Sequence, residues 1–435
     1  MYGQEDPSPP SRTTLHASIP LIDIPFQSSD GRHVFSMRQS IDLSKSYYQV
    51  TYPLLSNGLD LNGSRTISPS LRLPRLVLFV SYILASSYLP LGDAWVHEEY
   101  HRAVLKNRGV DSYDNIYDLK LFGDSVSVSR VQDEALVELK KKYPHDLIRS
   151  HAAGYESDNQ LITALEKDAF FLGTSPVTAI VLFNILNDYL YISTSASDEA
   201  NTITDEMNRA EGTIQVRDFT GLDFTAWVYD LFRPYEDYMA RGTHPSGIGI
   251  DRYIKNSDLT EEEKRFLKKQ GDLSLLNFVN VIFITGKPLK MIHSGQEFLV
   301  NIRPRHYLSS FGYTVNLDFF MKTSDLNLFL SLQNQFNHEH YFPGIDVEIS
   351  RKAVQFLGKK LLVTPRLAVW LQPKDQNFRT SESEPGVLVS VKTEFPFWKR
   401  YTTYLEIEGK TPGWVAGNVF LDENVSMRAG VEWFF

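Results

Sequence analysis

The sequence predicts an α+β chain: a transmembrane antiparallel β-barrel of about 8–12 strands, with a mainly α-helical domain inserted before the C-terminal strands. Three observations predict this. After Lys287, apolar and polar residues alternate with period two. The longest alternating runs reach roughly 10 to 13 residues, near the length a tilted strand needs to cross a bilayer. Between about residue 70 and 286 the signals are helix caps and uncharged apolar stretches instead. The chain therefore divides into an extended N-terminal segment (1–60) with possible barrel strands, a helical domain (61–286) and the C-terminal strands (287–435).

The opening stretch Tyr2-Gly3-Gln4-Glu5-Asp6-Pro7-Ser8-Pro9-Pro10 has neither the basic start nor the apolar run of a secretory signal, and reads as the loose start of a mature exported chain to which Met1 was added. The runs 15–26, 33–43 and 47–55 read as strands. Eight or nine strands after residue 290 could close alone, but joining these N-terminal runs to them gives about ten to twelve and leaves no strand without a partner. Three uncharged stretches, 76–92, 169–187 and 273–286, approach membrane length. Pro90 in the first, Gly173, Pro176, Asn184 and Asn187 in the second, and Asn277 and Asn280 in the third fit buried helices better than lipid-spanning ones. Ser129-x-x-Gln132 and Thr260-x-x-Glu263 match the capping box, so helices are expected to begin near Arg130 and Glu261. The charge run 261–269 reads as a solvated helix face.

In the last third, Phe311, Tyr313, Val315, Leu317, Phe319 and Met321 alternate with polar residues, and later strands repeat the pattern. A soluble sandwich alternates too. Strand length and the aromatics near strand ends (Tyr307, Phe311, Phe336, Tyr341, Phe342, Phe395, Phe397, Trp398, Tyr401 and Trp414) favour a membrane barrel with interfacial girdles.

The chain has a net charge of -9, which disfavours nucleic acid as a partner because no broad basic surface is available for phosphates. It has no cysteine, so disulfides, thiolate metal sites and thiol nucleophiles are excluded and any metal must sit on His, Asp or Glu.

The C-terminus, Arg428-Ala429-Gly430-Val431-Glu432-Trp433-Phe434-Phe435, resembles the terminal strand of bacterial outer-membrane barrels. In that family a polar residue, a glycine two later and two alternating aromatics ending in Phe are read by the barrel-insertion machinery. Arg428, Gly430, Trp433 and Phe435 fill those places. The resemblance implies the outer membrane of a Gram-negative bacterium, with the lipid bilayer and the insertion machinery as partners. An edge strand of a soluble barrel is the alternative reading of these residues.

His97-Glu98-Glu99-Tyr100-His101 has the H-E-x-x-H spacing. On a helix, residues four apart share a face, so two imidazoles can reach one zinc while the intervening glutamate points at its water. Asp93 is expected to cap this helix and Gly109 to end it. The motif resembles the zincin metallopeptidases, which implies His97 and His101 as ligands of Zn2+ and Glu98 as the catalytic general base. Charged Glu99 and Arg102 depart from the extended pattern and read as solvent-facing. Val104 and Asn107 stand where metzincins carry Gly and a third His, so the resemblance implies a distant carboxylate as third ligand, as in gluzincins. Glu156, in a segment of small residues, is the first candidate, with Glu166 in reserve. His151 or Tyr155 could stabilise an oxyanion, though a packing or hydrogen-bonding role fits each better. His338 and His340 share a strand face near a turn and read as a solvated loop tip.

The function these features imply is an outer-membrane zinc peptidase acting on a peptide or protein substrate. Two alternatives compete: a non-catalytic barrel, for transport or structure, whose helical insert plugs the lumen, and a helical intramembrane metalloprotease with a soluble β appendage.

Overall fold

The computed structural model describes residues 15–26, 34–59, 72–118, 126–293, 295–398 and 400–434. The N-terminal Pro-rich stretch and Phe435 of the C-terminal motif lie outside them. Strand β1 (His16–Ile24) is followed by helices α1 (Met37–Gly58), α2 (Arg72–Ser87) and α3 (Asp93–Asn107). A two-residue ladder, β2 (Tyr113–Asp114) with β3 (Val128–Ser129), precedes α4 (Asp133–Lys142), α5 (Pro144–Leu172), α6 (Thr178–Ser195), α7 (Glu199–Ala210), α8 (Asp223–Phe232), α9 (Glu261–Ser274) and α10 (Val281–Thr285).

The remaining strands are β4 (Leu289–His293), β5 (Gln296–Ser309), β6 (Gly312–Lys322), β7 (Asn327–Phe336), β8 (Tyr341–Ile349), β9 (Lys352–Phe356), β10 (Lys359–Pro373), β11 (Ser383–Trp398), β12 (Tyr401–Lys410) and β13 (Asn424–Phe434). The fold is therefore mixed α+β, with the helices between the first strand and the others.

Local chemistry explains the element boundaries. Thr260 caps α9 and Glu263 returns the bond, as its spacing predicts. At Ser129-x-x-Gln132 the helix starts three residues later than expected, because Arg130 has φ +62° and cannot be a helical residue; Asp133 opens α4. The runs 33–43 and 47–55 are not strands: from Met37 onward they form α1, started by a full capping box of Ser36 with Gln39. Its buried positions Met37, Ser40, Ser44, Tyr48 and Gln49 follow helical spacing, which outweighs the β-propensity of its aromatic and β-branched residues. Proline opens α5 and Gly173, at φ +72°, closes it.

Eleven strands form one antiparallel sheet in the order β1-β13-β12-β11-β10-β8-β7-β6-β5-β4, with β9 on β10. The N-terminal strand joins the C-terminal one, His16 opposite Phe434 through Ile24 opposite Met427. β8 and β9 pair successive stretches of β10, so they act as one strand interrupted at Ser350 and Arg351. Among the described residues β1 and β4 each pair on one side only.

The sheet is sorted inside out. Along β12, Leu405 and Ile407 are exposed while Tyr404, Glu406, Glu408 and Lys410 are buried. Val389 of β11 is 52% exposed, whereas Glu408 and Glu432 are 4% and 2% exposed. Helices α1 and α5 cover part of this polar face through ion pairs: Arg38 to Glu408 at 3.1 Å, Asp42 to Arg428 at 3.2 Å, Lys167 to Glu348 at 2.8 Å and Glu166 to Arg303 at 2.6 Å. A charged cavity of ≈ 230 Å³ remains between α5 and the sheet, lined among others by Lys45, Asp168, Lys392, Glu394 and Glu432.

The expected aromatic girdle divides. Tyr341, Phe395, Phe397 and Trp398 are exposed, but Tyr307, Phe311, Phe342 and Trp414 face inward and are buried. Among the described residues no helix is long and apolar enough to cross a membrane. The helices have an ordinary apolar core of their own, in which α1, α2, α3, α5 and α6 meet through Tyr48, Ile83, Val96, Tyr100, Leu161 and Val181.

Candidate metal centre

Helix α3 starts at Gly92, whose extended backbone lies so close to the end of α2 that a Cβ would fall 2.2 Å from the Ser86 carbonyl oxygen. Asp93 is thus the first helical residue rather than the cap, and accepts a 2.6 Å hydrogen bond from the Tyr48 hydroxyl. From there His97 and His101 fall on one face, with ring centroids 4.9 Å apart.

That face meets α5 at Gly154. A Cβ there would stand 2.0 Å from His97 Nε2, so glycine is what permits the approach. Of the small residues 152–154, Gly154 and Ala153 pack on the side of the motif helix, whereas Ala152 joins a second cluster with Tyr155, Phe224 and Trp227.

The third side chain is Asp223. Gly221, at φ +77°, turns the chain under the Tyr253 ring and delivers Asp223 to the first turn of α8, where the helix dipole favours a carboxylate. Its backbone N–H donates to the Tyr191 hydroxyl at 3.0 Å. Asp223 Oδ2 lies 3.2 Å from His97 Nε2 and 3.5 Å from His101 Nε2. One ligand atom from each of the three residues lies within 4.8 Å of the others. Ligand atoms around a tetrahedral zinc, at bonds of about 2.0–2.1 Å, stand about 3.3 Å apart, so the spacing fits.

The outer nitrogens are fixed as a metal site requires. His97 Nδ1 is 2.9 Å from Asp158 Oδ2, and His101 Nδ1 is 2.5 Å from the Ser150 carbonyl oxygen. Both oxygens are acceptors, so each Nδ1 carries a proton and the nitrogen left for ligation is Nε2, on the side of Asp223. Two imidazole nitrogens and a carboxylate oxygen thus converge on one point, an arrangement that could hold a cation.

The electrostatics show that this point attracts positive charge, whether a proton or a cation. Burial opposes the charged form of His97, but Asp158 and Asp223 outweigh it and raise its pKa well above the usual histidine range. Burial would raise Asp223, yet the two histidines prevail and hold it below the usual carboxylate range. Burial pushes Glu98 well above its ordinary value, with Asp114, Asp218 and Asp223 reinforcing the shift against the pull of His97. Among the described residues Glu98 forms no hydrogen bond or ion pair, which leaves its carboxyl available beside the cluster.

The other candidates lie elsewhere. Helix α5 runs unbroken through Glu156, and that carboxylate sits roughly 200° around the helix from Asp158. It is held by Arg149 Nη2 at 2.8 Å, by the Gly417 N–H at 2.8 Å and by Trp414 Nε1 at 3.3 Å. Glu156 is therefore a structural anchor that does not reach the two histidines, and the carboxylate beside them is that of Asp223. Glu166 is engaged by Arg303 and Asn280.

Glu99 and Arg102 do not face solvent. They form a buried ion pair, and Glu99 also accepts from the Phe35 N–H. His151 uses both ring nitrogens, on Asp230 at 2.8 Å and on Thr220 at 2.7 Å, while Tyr155 bonds His306 at 2.9 Å. Both serve packing and hydrogen bonding. His338 pairs with Glu262 at 2.8 Å at the protein surface.

Sequence reasoning missed Asp223, Asp158 and Tyr191. A glycine followed by aspartate at the start of an apolar helix is a visible signal for Asp223, but nothing in it points to a histidine 126 residues away. No family model, no curated protein and no solved structure matches this chain.

Proposed function

We propose that the protein is a zinc-dependent peptidase of the Gram-negative outer membrane, with the sheet forming the wall of a transmembrane barrel around helices that carry the site. The observation that carries the catalytic half is the convergence of His97 Nε2, His101 Nε2 and Asp223 Oδ2, each histidine oriented from behind, beside an unengaged Glu98. Three protein ligands leave the fourth position open, as a catalytic rather than a structural zinc needs. Zinc bound there supplies a Lewis acid for a peptide carbonyl and brings the pKa of its water to about 7.

The chain does the rest. His97, His101 and Asp223 hold the ion, and Asp158 and the Ser150 carbonyl keep both imidazoles in the ligating tautomer. Glu98 is placed to accept the proton of the attacking water and to return it to the leaving amine.

The membrane half rests on the inverted sheet. Outward Val387, Val389, Val391, Leu405 and Ile407 suit acyl chains, and inward Lys392, Glu406, Glu408 and Glu432 suit a polar lumen. Strand β13, with Arg428, Gly430 and Trp433, would be the one read during insertion.

Replacing Glu98 with Gln is expected to leave zinc content unchanged and to lower peptide hydrolysis by about 10²–10⁴-fold. Unchanged turnover would remove the catalytic assignment. The ion pairs from α1 and α5 to the inner face also favour a second reading, a plugged barrel in which the metal is structural; full zinc content with no hydrolysis of any peptide library would select it.

A further inference from the structure

The described sheet ends at β1 and β4, which do not pair with each other, so strands alone leave the wall incomplete. Helices contact the sheet near both of its ends. Helix α1 lies along β1, where the Ser46 hydroxyl bonds both the N–H and the carbonyl of Ser18. At the other edge α10 meets β5, where the Ile282 N–H donates to Asn301 at 3.2 Å. Between them, α2 is tied to α1 by the 2.6 Å contact of the Tyr82 and Thr51 hydroxyls, and α2, α6 and Phe283 of α10 share one apolar core.

The outward faces of these helices are apolar. On α6, Leu182, Leu186 and Leu190 recur every fourth residue and are exposed, whereas Asn184 and Asp188 are buried. On α2, Leu73, Leu76, Val77, Val80 and Leu84 form an exposed helical stripe. Ile284 of α10 is exposed as well. A helix packed on a water-soluble protein shows the opposite order, with its polar face outward.

We infer that α2, α6 and α10 complete the wall between β1 and β4 and present these stripes to the acyl chains of the bilayer. The inference rests on the membrane reading above and extends it from the strands to the helices. Continuity identifies the occupant: Ile19, Leu21 and Ile24 expose apolar side chains on β1, and Leu289, Met291 and Ile292 do so on β4. The helical stripes thus join the apolar belt of the sheet at both edges. A protein partner covers about 800 Å² of one face, whereas a belt that passes over strands and helices alike needs an apolar solvent. The helices need not cross the bilayer by themselves, since their inner faces rest on protein.

The absence of cysteine makes the test direct. Single-cysteine variants Val77→Cys, Leu186→Cys and Leu190→Cys, with Val389→Cys as the strand reference and Glu206→Cys on exposed α7 as the aqueous reference, are labelled with bimane. They are then reconstituted in phosphatidylcholine vesicles with brominated acyl chains. The loss of emission at 77, 186 and 190 is expected to equal that at 389, with none at 206. Quenching at 389 but not at 77, 186 or 190 would overturn the helical wall and leave the membrane reading standing. No quenching at 389 either would overturn both.

Discussion

The sheet and the helices around the histidines sort their side chains in opposite senses. In β11 and β12 the apolar residues are exposed and the charges buried; in α3 and α5 the apolar residues Val96, Tyr100, Leu161 and Ile162 are buried in a shared core. The proposed membrane reading assigns the difference to two solvents. On the proposed reading the strands would face hydrocarbon on one side and a polar interior on the other, while the helices around the histidines would build a dry scaffold in which a few charges are held for chemistry. Burial by itself therefore does not mark a functional residue here. Glu408 and Glu432 are buried because they face inward and are paired; among the described residues Glu98 is buried with no hydrogen bond or ion pair.

Three substitutions would break or sharpen this contrast. The largest effect is expected for Glu156→Ala, which strands the fully buried Arg149; it should cost about 3–5 kcal/mol in denaturant unfolding. A midpoint unchanged from wild type would show that Glu156 is not the anchor described.

A smaller penalty, about 2–4 kcal/mol in a bilayer, is expected for Val389→Lys on the outward sheet face. Val389→Leu should be close to neutral, and equal stability of the two in lipid would argue for an aqueous face.

Asp158→Ala should weaken zinc binding by about 10–100-fold through loss of the His97 Nδ1 partner. The check is competition with a chelator of known affinity, and wild-type affinity would remove Asp158 from the site.

What was legible in the sequence follows the same division. Period-two alternation and the capping box at Thr260 are local signals, and both match the structure. The N-terminal strand at 15–26 also appears, paired with the C-terminal one. The runs 33–43 and 47–55 were misleading because aromatic and β-branched residues favour strands in isolation, whereas the Ser36 and Gln39 box and the buried helical stripe commit them to α1.

At the site, the two histidines and Glu98 lie on one helical face and their spacing is readable. The carboxylate was not. Glu156 lies near Gly154 in sequence, but helical phase turns it toward Arg149, while Asp158 two residues on faces His97. Asp223 arrives by tertiary packing after the Gly221 turn, a relation that no local pattern encodes.

In the proposed site His97, His101 and Asp223, not Glu156, hold the metal. Zinc content of purified wild type, Asp223→Ala and Glu156→Ala, each confirmed as folded, tests this assignment most directly. Stoichiometric zinc in wild type and Glu156→Ala with none in Asp223→Ala is the predicted result. Zinc retained in Asp223→Ala and lost from Glu156→Ala would contradict it.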